Sequence, residues 1–252
     1  MSPVAPLAGL RVLVTRPAHQ VQAMSQRLRK HGAIPIEFPV IEIVPVSDEQ
    51  LAESLQDVST YDWAVLTSVN TVSLVGPMLA QLDTAPKIAV IGDATASGLK
   101  AHGLTVDLVP PEFVAESVLE ELERIGVSGA RVLLPRAEVA RTTLPDGLRD
   151  AGAHVDVVPV YQTRKPQTVD QSILEQVIAG NLDVITFTSP STVRNLLDLT
   201  GGTLPSSVTI ACIGPVTASS AIDAGIKVDV IAQTYSVPGL VEALIEHARG
   251  DT

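Results

Sequence analysis

Small polar residues follow the aliphatic stretches of this 252-residue chain, and their types suit the binding of anions. Four such positions occur: Thr67-Ser68, Thr188-Ser189, Gly92 with Thr95, and Gly214 with Thr217. Ser and Thr there can cap the following helix, which is a purely structural role. The same helix starts expose backbone N–H groups and the positive end of the helix dipole, which suit a carboxylate or a phosphate. Because there are four of these positions, we favour anion binding over capping alone.

Arginines lie close to the same positions. Arg16, Arg136 and Arg141 could add fixed positive charge, although Arg16 and Arg136 could equally brace the chain after a strand. Other kinds of catalytic site find no support. The sequence has no G-x-G-x-x-G after a strand, no P-loop, no H-E-x-x-H and no G-x-S-x-G motif. The single cysteine, Cys212, lies in an apolar stretch typical of a buried strand, which favours a packing role.

Composition excludes several classes of protein. Hydrophobic residues make up 46% of the chain and aromatic residues only 3%, which favours buried parallel strands rich in Val, Ile and Leu. A formal net charge of −11 argues against a general nucleic-acid binder. One cysteine excludes an intrachain disulfide and a multi-cysteine metal site. No apolar stretch approaches the roughly 20 residues of a membrane span, and residues 1–9 lack the pattern of a signal peptide. We therefore expect a cytoplasmic protein with no nucleic-acid or membrane partner.

Three blocks of sequence recur at an offset of about 120 residues. The pairs are Arg11–Pro17 with Arg131–Ala137, Asp62–Val72 with Asp183–Val193, and Ile88–Val109 with Ile210–Ile231. A shared offset in three separate blocks indicates an internal duplication.

Each half reads as alternating strands and helices, which is typical of parallel α/β sheets. The predicted strands are Val12–Val14, Ala64–Leu66, Ile88–Ile91, Val132–Leu134, Val184–Phe187 and Thr209–Ile213. Glycines that suit helix C-termini occur at Gly32, Gly103, Gly152 and Gly225. Shorter β-rich stretches follow them at Ile34–Ile36, Val106–Val109, Val155–Val158 and Val228–Ile231. This pattern predicts an α/β fold with two flavodoxin-like or Rossmann-like domains.

Two proline-containing stretches, 38–41 and 158–161, occupy matching places in the repeat and precede less regular segments at 45–50 and 162–170. We interpret them as two crossings between interleaved domains, with linkers near 39–41 and 160–165. One domain is then discontinuous, from residues 1–38 and 166–252, and the other is continuous, from 42–160. Two consecutive halves remain the simpler alternative.

The repeat is broken at one crossing, because Tyr161 corresponds to Ile41. A phenol near two anion-binding faces is a candidate catalytic group. The alternative is an amphipathic residue that packs the linker.

An ordered set of short motifs resembles the uroporphyrinogen-III synthase family. The motifs are Val-Leu-Val-Thr15-Arg16-Pro17, Leu66-Thr67-Ser68, Val-Ile-Gly92-x-x-Thr95-Ala, Leu-Leu-Pro-Arg136, Val160-Tyr161, Phe-Thr188-Ser189-Pro and Cys-Ile-Gly214-Pro-x-Thr217-Ala. The resemblance covers the chain from about Leu10 to about His247. It implies the interleaved two-domain fold, an active site in the cleft between the domains, and no metal or organic cofactor.

The resemblance also implies a reaction, the cyclisation of hydroxymethylbilane to uroporphyrinogen III with loss of water and inversion of the last pyrrole ring. By resemblance, Tyr161 hydrogen-bonds the departing hydroxyl. The eight carboxylates of the substrate require many donors, and the residues assigned to substrate binding are Arg16, Thr67, Ser68, Gly92, Thr95, Arg136, Ser189, Gly214 and Thr217. Asp93 follows Gly92 where Pro215 follows Gly214, so we expect Asp93 to point to solvent or that side to bind less tightly.

The competing class of protein is a non-enzymatic, two-lobed module that binds a small molecule. It would share the lobes and the missing catalytic motifs. A dinucleotide-dependent enzyme is disfavoured because the glycine fingerprint is absent. For the enzyme we expect a monomer, with a transient contact to hydroxymethylbilane synthase, which supplies the unstable substrate.

Overall fold

The computed structural model describes residues 5–250, with the backbone alone of Ser54. These residues form two compact units. Unit 1 contains the described residues up to Glu42 and from Arg164 onward, and unit 2 spans Ile43–Thr163. The sequence prediction for residues 1–9 falls partly outside the described residues.

Strands and helices alternate along the described chain. The strands are β1 Arg11–Val14, β2 Ile34–Glu37, β3 Glu42–Pro45, β4 Trp63–Leu66, β5 Lys87–Val90, β6 Arg131–Ala137, β7 His154–Arg164, β8 Val184–Phe187, β9 Thr209–Cys212 and β10 Val230–Ile231. The helices are α1 Ala18–Lys30, α2 Asp48–Ser54, α3 Val69–Leu79, α4 Asp93–Ala101, α5 Ala115–Ile125, α6 Thr143–Asp150, α7 Gln171–Ile178, α8 Pro190–Thr200, α9 Pro215–Asp223 and α10 Val237–Arg249. A 3-10 turn covers Val58–Thr60.

Each unit is built on a five-stranded sheet. The sheet of unit 1 has the order β10-β9-β8-β1-β2, and its neighbouring strands pair in parallel. Counted along the chain within that unit, this is the flavodoxin-like order 2-1-3-4-5. The second sheet has the order β3-β7-β6-β4-β5, with parallel pairs from β7 through β5. The predicted α/β class with two parallel sheets is confirmed, while the duplication and the linkers stay predictions.

The strands are short and aliphatic because both faces of each sheet are covered by helices. In β1, Leu13 packs into one core cluster, and Val12 and Val14 pack into the cluster on the other face. Strands β4 and β8 are buried along their whole length. Fully burying one Val or Leu side chain contributes about 1.5–3 kcal/mol, so these strands hold the sheets rigidly under the loops that follow them.

Helix ends follow the glycine prediction. Gly32 after α1 has a φ of +87°, in the left-handed region that a residue with a Cβ rarely adopts. Gly103, Gly152 and Gly225 also have positive φ, so all four predicted helix ends are confirmed.

Two local predictions were wrong. The stretch 106–109 makes one bridge, Leu108 with Ala89, and no strand. The segment 45–50 is regular, because β3 ends at Pro45 and α2 begins after Ser47, whose side chain accepts the Gln50 N–H. Residues 160–164 of the predicted linker form the end of β7, which continues to Arg164, and the linker itself stays a prediction.

Candidate active site

Ser68 sits where β4 gives way to α3, at the carboxyl edge of the second sheet. Its backbone is extended, and its Oγ accepts the Thr71 N–H at 3.1 Å, which makes it the N-cap of α3. This bond satisfies one of the free N–H groups at the helix start. Thr67, directly before it, is half-buried. Ser68 therefore has the helix-capping role that its residue type suggested.

Tyr161 reaches the same hydroxyl from β7. Its side chain is only 6% exposed, and its hydroxyl lies 3.2 Å from Ser68 Oγ. Ser68 Oγ also lies 3.0 Å from Thr71 Oγ1. Three hydroxyl groups therefore form a connected chain, which we call the hydroxyl relay (Thr71, Ser68 and Tyr161).

A β-bulge aims Tyr161 at this position. The pairing of β6 with β7 runs from Arg136 with Pro159 to Ala137 with Tyr161, so one extra residue, Val160, is inserted. Consecutive residues of a regular strand point to opposite faces, yet Val160 and Tyr161 both pack into one core cluster. Pro159 has no N–H to give to the ladder, which makes this a suitable place for the irregularity.

Arg136 lies at the same edge of the sheet. It lines a cavity of about 180 Å³ together with Thr67, Arg141 and the apolar side chains of Ile91, Leu134 and Leu144. Arg136 Nη2 donates to the Arg141 carbonyl at 2.6 Å. Burial lowers the pKa of Arg136, the nearby Arg141 charge lowers it further, and Tyr161 and Asp146 raise it. The cavity therefore holds cationic groups next to Thr67, which suits a carboxylate.

Arg16 is the corresponding arginine of unit 1, after β1. Its Nη2 donates to Gln20 Oε1 at 2.6 Å, whereas its Nε is buried with no hydrogen-bond partner in the described part of the chain. Burial lowers the pKa of Arg16 to about 10, so the side chain stays protonated near neutral pH. A buried donor on a cation is costly when it is left unpaired, and an anionic ligand would complete it.

Ser189 caps α8 in unit 1 as Ser68 caps α3. Its Oγ accepts the Thr192 N–H at 3.3 Å. The Thr192 hydroxyl returns to the backbone of Ser189, donating to its carbonyl at 2.7 Å and accepting its N–H at 3.3 Å. This reciprocal capping box closes the helix start on itself.

Gly92 and Gly214 are the N-caps of α4 and α9. Their φ values, 177° and 176°, are extended backbone that any residue adopts, so conformation does not explain them. A Cβ on Gly92 would lie 2.8 Å from Phe113 Cγ, and one on Gly214 would lie 3.1 Å from Tyr235. The two glycines therefore allow an aromatic ring to lie against the start of each helix.

The threonines one turn into these helices are buried rather than open to solvent. Thr95 and Thr217 are 3% and 4% exposed. Asp93, at the first position of α4, is exposed, as is Pro215 at the first position of α9. The expectation that Asp93 points to solvent is met, and the aspartate stabilises the helix start.

The site residues predicted from the sequence did not include Thr71, Phe113 and Tyr235. Phe113 and Tyr235 share the offset of about 120 residues, which could have singled them out as a pair. Thr71 belongs to a matched pair with Thr192, but only the structure distinguishes their hydrogen bonds.

Two other features lie apart from these groups. A second cavity, of about 280 Å³, is lined by Val208, Ile210 and Asp229 near the amino ends of β9 and β10, opposite to Gly214. Burial raises the pKa of Cys212 to about 12, which keeps the thiol protonated and unreactive.

Within residues 5–250, no helix combines the length and the apolar character that crossing a membrane requires.

Fold and site together define an α/β protein with parallel sheets and polar helix starts at their carboxyl edges. Residues 22–242 match the family described as "Uroporphyrinogen-III synthase HemD". The uroporphyrinogen-III synthase of Synechococcus elongatus is 37% identical, with 98% of each chain covered. That of Chlorobaculum parvum is 30% identical, over 93% of this chain and 98% of the relative.

A solved structure has the same fold. The chain is similar to a mutant uroporphyrinogen III synthase from Thermus thermophilus, with a TM-score of 0.63, 18% identity, and 97% and 100% of the two chains covered. The chain belongs to the uroporphyrinogen-III synthase family and is an enzyme of that class. The family and the enzyme class predicted from the sequence are confirmed.

Proposed function

We propose that this enzyme cyclises hydroxymethylbilane to uroporphyrinogen III with inversion of the last pyrrole ring and release of one water molecule. The observation that carries the proposal is the position of the Tyr161 hydroxyl: the residue is only 6% exposed, and its hydroxyl lies 3.2 Å from Ser68 Oγ at the start of α3. Family membership supports the reaction class. The reaction belongs to porphyrin biosynthesis and needs no metal or organic cofactor in this proposal.

The first step is loss of the terminal hydroxyl. The nitrogen of the terminal pyrrole pushes electrons toward its hydroxymethyl carbon, the C–O bond breaks, and the departing oxygen gains a proton and leaves as water. The pyrrole N–H then loses its proton to give a neutral azafulvene. We assign to Tyr161 the hydrogen bond that helps the oxygen leave. A phenol can donate such a bond.

Ring inversion follows from where the azafulvene carbon is attacked. Attack by the substituted carbon of the last ring gives a spiro intermediate, which fragments and recloses with that ring reversed and with loss of a proton. Without an enzyme the chain closes at the free carbon and gives uroporphyrinogen I. The task of the protein is therefore to hold the bilane folded for attack at the crowded carbon.

The substrate carboxylates are proposed to bind both side-chain donors and backbone N–H groups. The side chains assigned to them are Arg16, Thr67, Ser68, Thr95, Arg136, Ser189 and Thr217, together with the backbone N–H groups that follow Gly92 and Gly214. Because Thr95 and Thr217 are buried, their helix-start amides are better placed than their hydroxyls to face a ligand. The unpaired Nε of Arg16 and the cavity beside Arg136 support the arginine assignments.

The acidic composition limits how the substrate is bound. The chain has 28 Asp and Glu against 17 Lys and Arg, and its overall field repels an octa-anion. Binding therefore has to come from local donors. We also propose that the enzyme is a cytoplasmic monomer that receives its unstable substrate through transient contact with hydroxymethylbilane synthase.

The test supplies the protein with bilane freshly made by the preceding synthase and resolves the two uroporphyrinogen isomers. We expect isomer III in excess, against isomer I alone in a control without the protein. Isomer I alone in both samples contradicts the enzyme function and favours the binding module.

A further inference from the structure

The bonding capacity of the Ser68 hydroxyl limits how hydrogens can be arranged in the hydroxyl relay. Ser68 Oγ carries one hydrogen and two lone pairs, and one lone pair already accepts the Thr71 N–H. Its two hydroxyl neighbours, Thr71 Oγ1 and Tyr161 Oη, lie at 3.0 and 3.2 Å. Both of them cannot donate to Ser68 together, because only one lone pair remains.

Two arrangements are left. In the first, Tyr161 donates to Ser68 and Ser68 donates to Thr71, so the only hydrogen of the phenol is used inside the protein. In the second, Thr71 donates to Ser68 and Ser68 donates to the phenol oxygen. Only the second leaves the Tyr161 hydrogen free to point at a ligand.

Unit 1 supplies a comparison in which the same residue types are wired differently. The Thr192 hydroxyl donates to the Ser189 carbonyl at 2.7 Å, so it gives nothing to the Ser189 hydroxyl. In unit 2 the Thr71 hydroxyl meets the Ser68 hydroxyl instead. The difference leaves Ser68 able to act on the tyrosine while it caps the helix.

We propose that Ser68 and Thr71 are positioning residues that direct the Tyr161 proton toward the departing hydroxyl of the substrate. Thr71 donates to Ser68, Ser68 donates to the phenol oxygen, and Tyr161 donates to the oxygen that leaves. The inference rests on the proposed role of Tyr161. It replaces carboxylate binding as the function of Ser68 and gives Thr71, which is fully buried, a part in the reaction.

The test is a double-mutant cycle on kcat for isomer III formation from fresh bilane. Its variants are Ser68→Ala, Tyr161→Phe and the pair. Loss of one neutral hydrogen bond that acts only in the transition state lowers kcat about threefold to tenfold. Ser68→Ala should show that loss in the wild-type background, with little change in KM, and less than about a twofold loss when residue 161 is Phe.

Ser47→Ala is the matched control for the cap. Ser47 caps α2 in the same unit by accepting the Gln50 N–H at 3.2 Å, and it has no part in the site. It should leave kcat unchanged in both backgrounds. Thr71→Val, which keeps the shape of the side chain, should also slow turnover, and Thr71→Ser should restore it. These two variants serve as the test if Ser68→Ala does not fold.

Each contrary outcome has a distinct meaning. If Tyr161→Phe turns over like the wild type, the proposed role of Tyr161 fails and the inference fails with it. If Tyr161→Phe is slow but Ser68→Ala costs the same factor in both backgrounds, the relay alone is overturned and the role of Tyr161 stands. A rise in KM with unchanged kcat for Ser68→Ala returns Ser68 to carboxylate binding and also overturns the relay.

Discussion

The starts of α3 and α8 contain the same two residue types, serine and threonine, but their side chains make different hydrogen bonds. Each helix begins with a serine cap and carries a threonine three residues later. At α8 the threonine closes the box onto the backbone, whereas at α3 it joins the serine hydroxyl to Tyr161. We propose that the capping motif at α3 becomes part of a reactive site because a neighbouring strand supplies a third hydroxyl.

The two units also differ at the last position of the two proline-containing stretches, where unit 2 has a polar group and unit 1 does not. Tyr161 corresponds in the repeat to Ile41, and each of these side chains is 6% exposed and packed in a hydrophobic core. Burial is thus equal, and Tyr161 differs in having an aromatic ring with a hydroxyl where Ile41 has an alkyl group. We propose that unit 2 carries the bond-breaking step and that unit 1 contributes donors for binding.

Removing that one hydroxyl is the largest change expected. Tyr161→Phe should lower kcat about tenfold to a hundredfold without abolishing turnover, because the donor is lost while the ring still packs. Ile41→Val, at the matching position, should cost about 1 kcal/mol of unfolding free energy and leave kcat unchanged. Steady-state kinetics and urea unfolding of both variants check the pair. Equal kinetic losses would erase the proposed difference between the units.

Substituting alanine for Gly92 or Gly214 tests how tightly the start of α4 or α9 is packed against its aromatic ring. Gly92→Ala should destabilise the protein by about 2 kcal/mol, because the new Cβ lies 2.8 Å from the Phe113 ring. Gly214→Ala should cost less, since its nearest ring atoms lie at 3.1 Å. Urea unfolding measures both, and Phe113→Leu should recover part of the loss at Gly92. A larger cost at Gly214 would contradict the ranking.

Replacing Arg16 should affect substrate binding and protein stability differently. Arg16→Met should raise KM about tenfold, because a charge-assisted bond to a substrate carboxylate is lost. The same change should leave the unfolding free energy equal or about 1 kcal/mol higher, because the lowered pKa of Arg16 shows that burying this charge is unfavourable. Arg27→Met, an exposed charge on α1, is the control for the general loss of attraction. An unchanged KM for Arg16→Met would remove Arg16 from the site.

Asp93 gives the smallest effect. Asp93→Asn should lower KM about twofold, because an exposed negative charge is removed near the helix-start amides proposed to bind a carboxylate. Asp48→Asn, at the first position of α2, is the matched control and should leave KM unchanged. Equal shifts in the two variants would indicate only the overall charge of the protein. No shift in either would argue against a carboxylate beside Gly92.

Features that depend on local sequence could be predicted, whereas features that depend on the pairing of distant strands could not. The strands and the helix-ending glycines were predictable because aliphatic stretches and positive φ leave direct traces in the chain. The bulge that turns Tyr161 was not, because it depends on the register between β6 and β7. The order of strands likewise depends on pairing between distant segments.

At the site, residue types were predictable and their partners were not. Ser68 and Ser189 look alike in sequence, and so do Thr71 and Thr192. Their hydrogen bonds differ because a hydroxyl can turn toward a backbone or a side-chain partner at little cost. Helix α2 was missed although Ser47, Asp48 and Glu49 form an ordinary N-terminal signal.

The central claim, that Tyr161 assists the loss of the terminal hydroxyl, is tested most directly by a single-turnover experiment on Tyr161→Phe. With enzyme in excess over fresh bilane, the rate of product formation and the ratio of the isomers are read together. We expect slow formation of mainly isomer III, because hydroxyl loss precedes ring inversion and the substrate is still held. Formation at the wild-type rate, or a fast reaction that gives mainly isomer I, would contradict it.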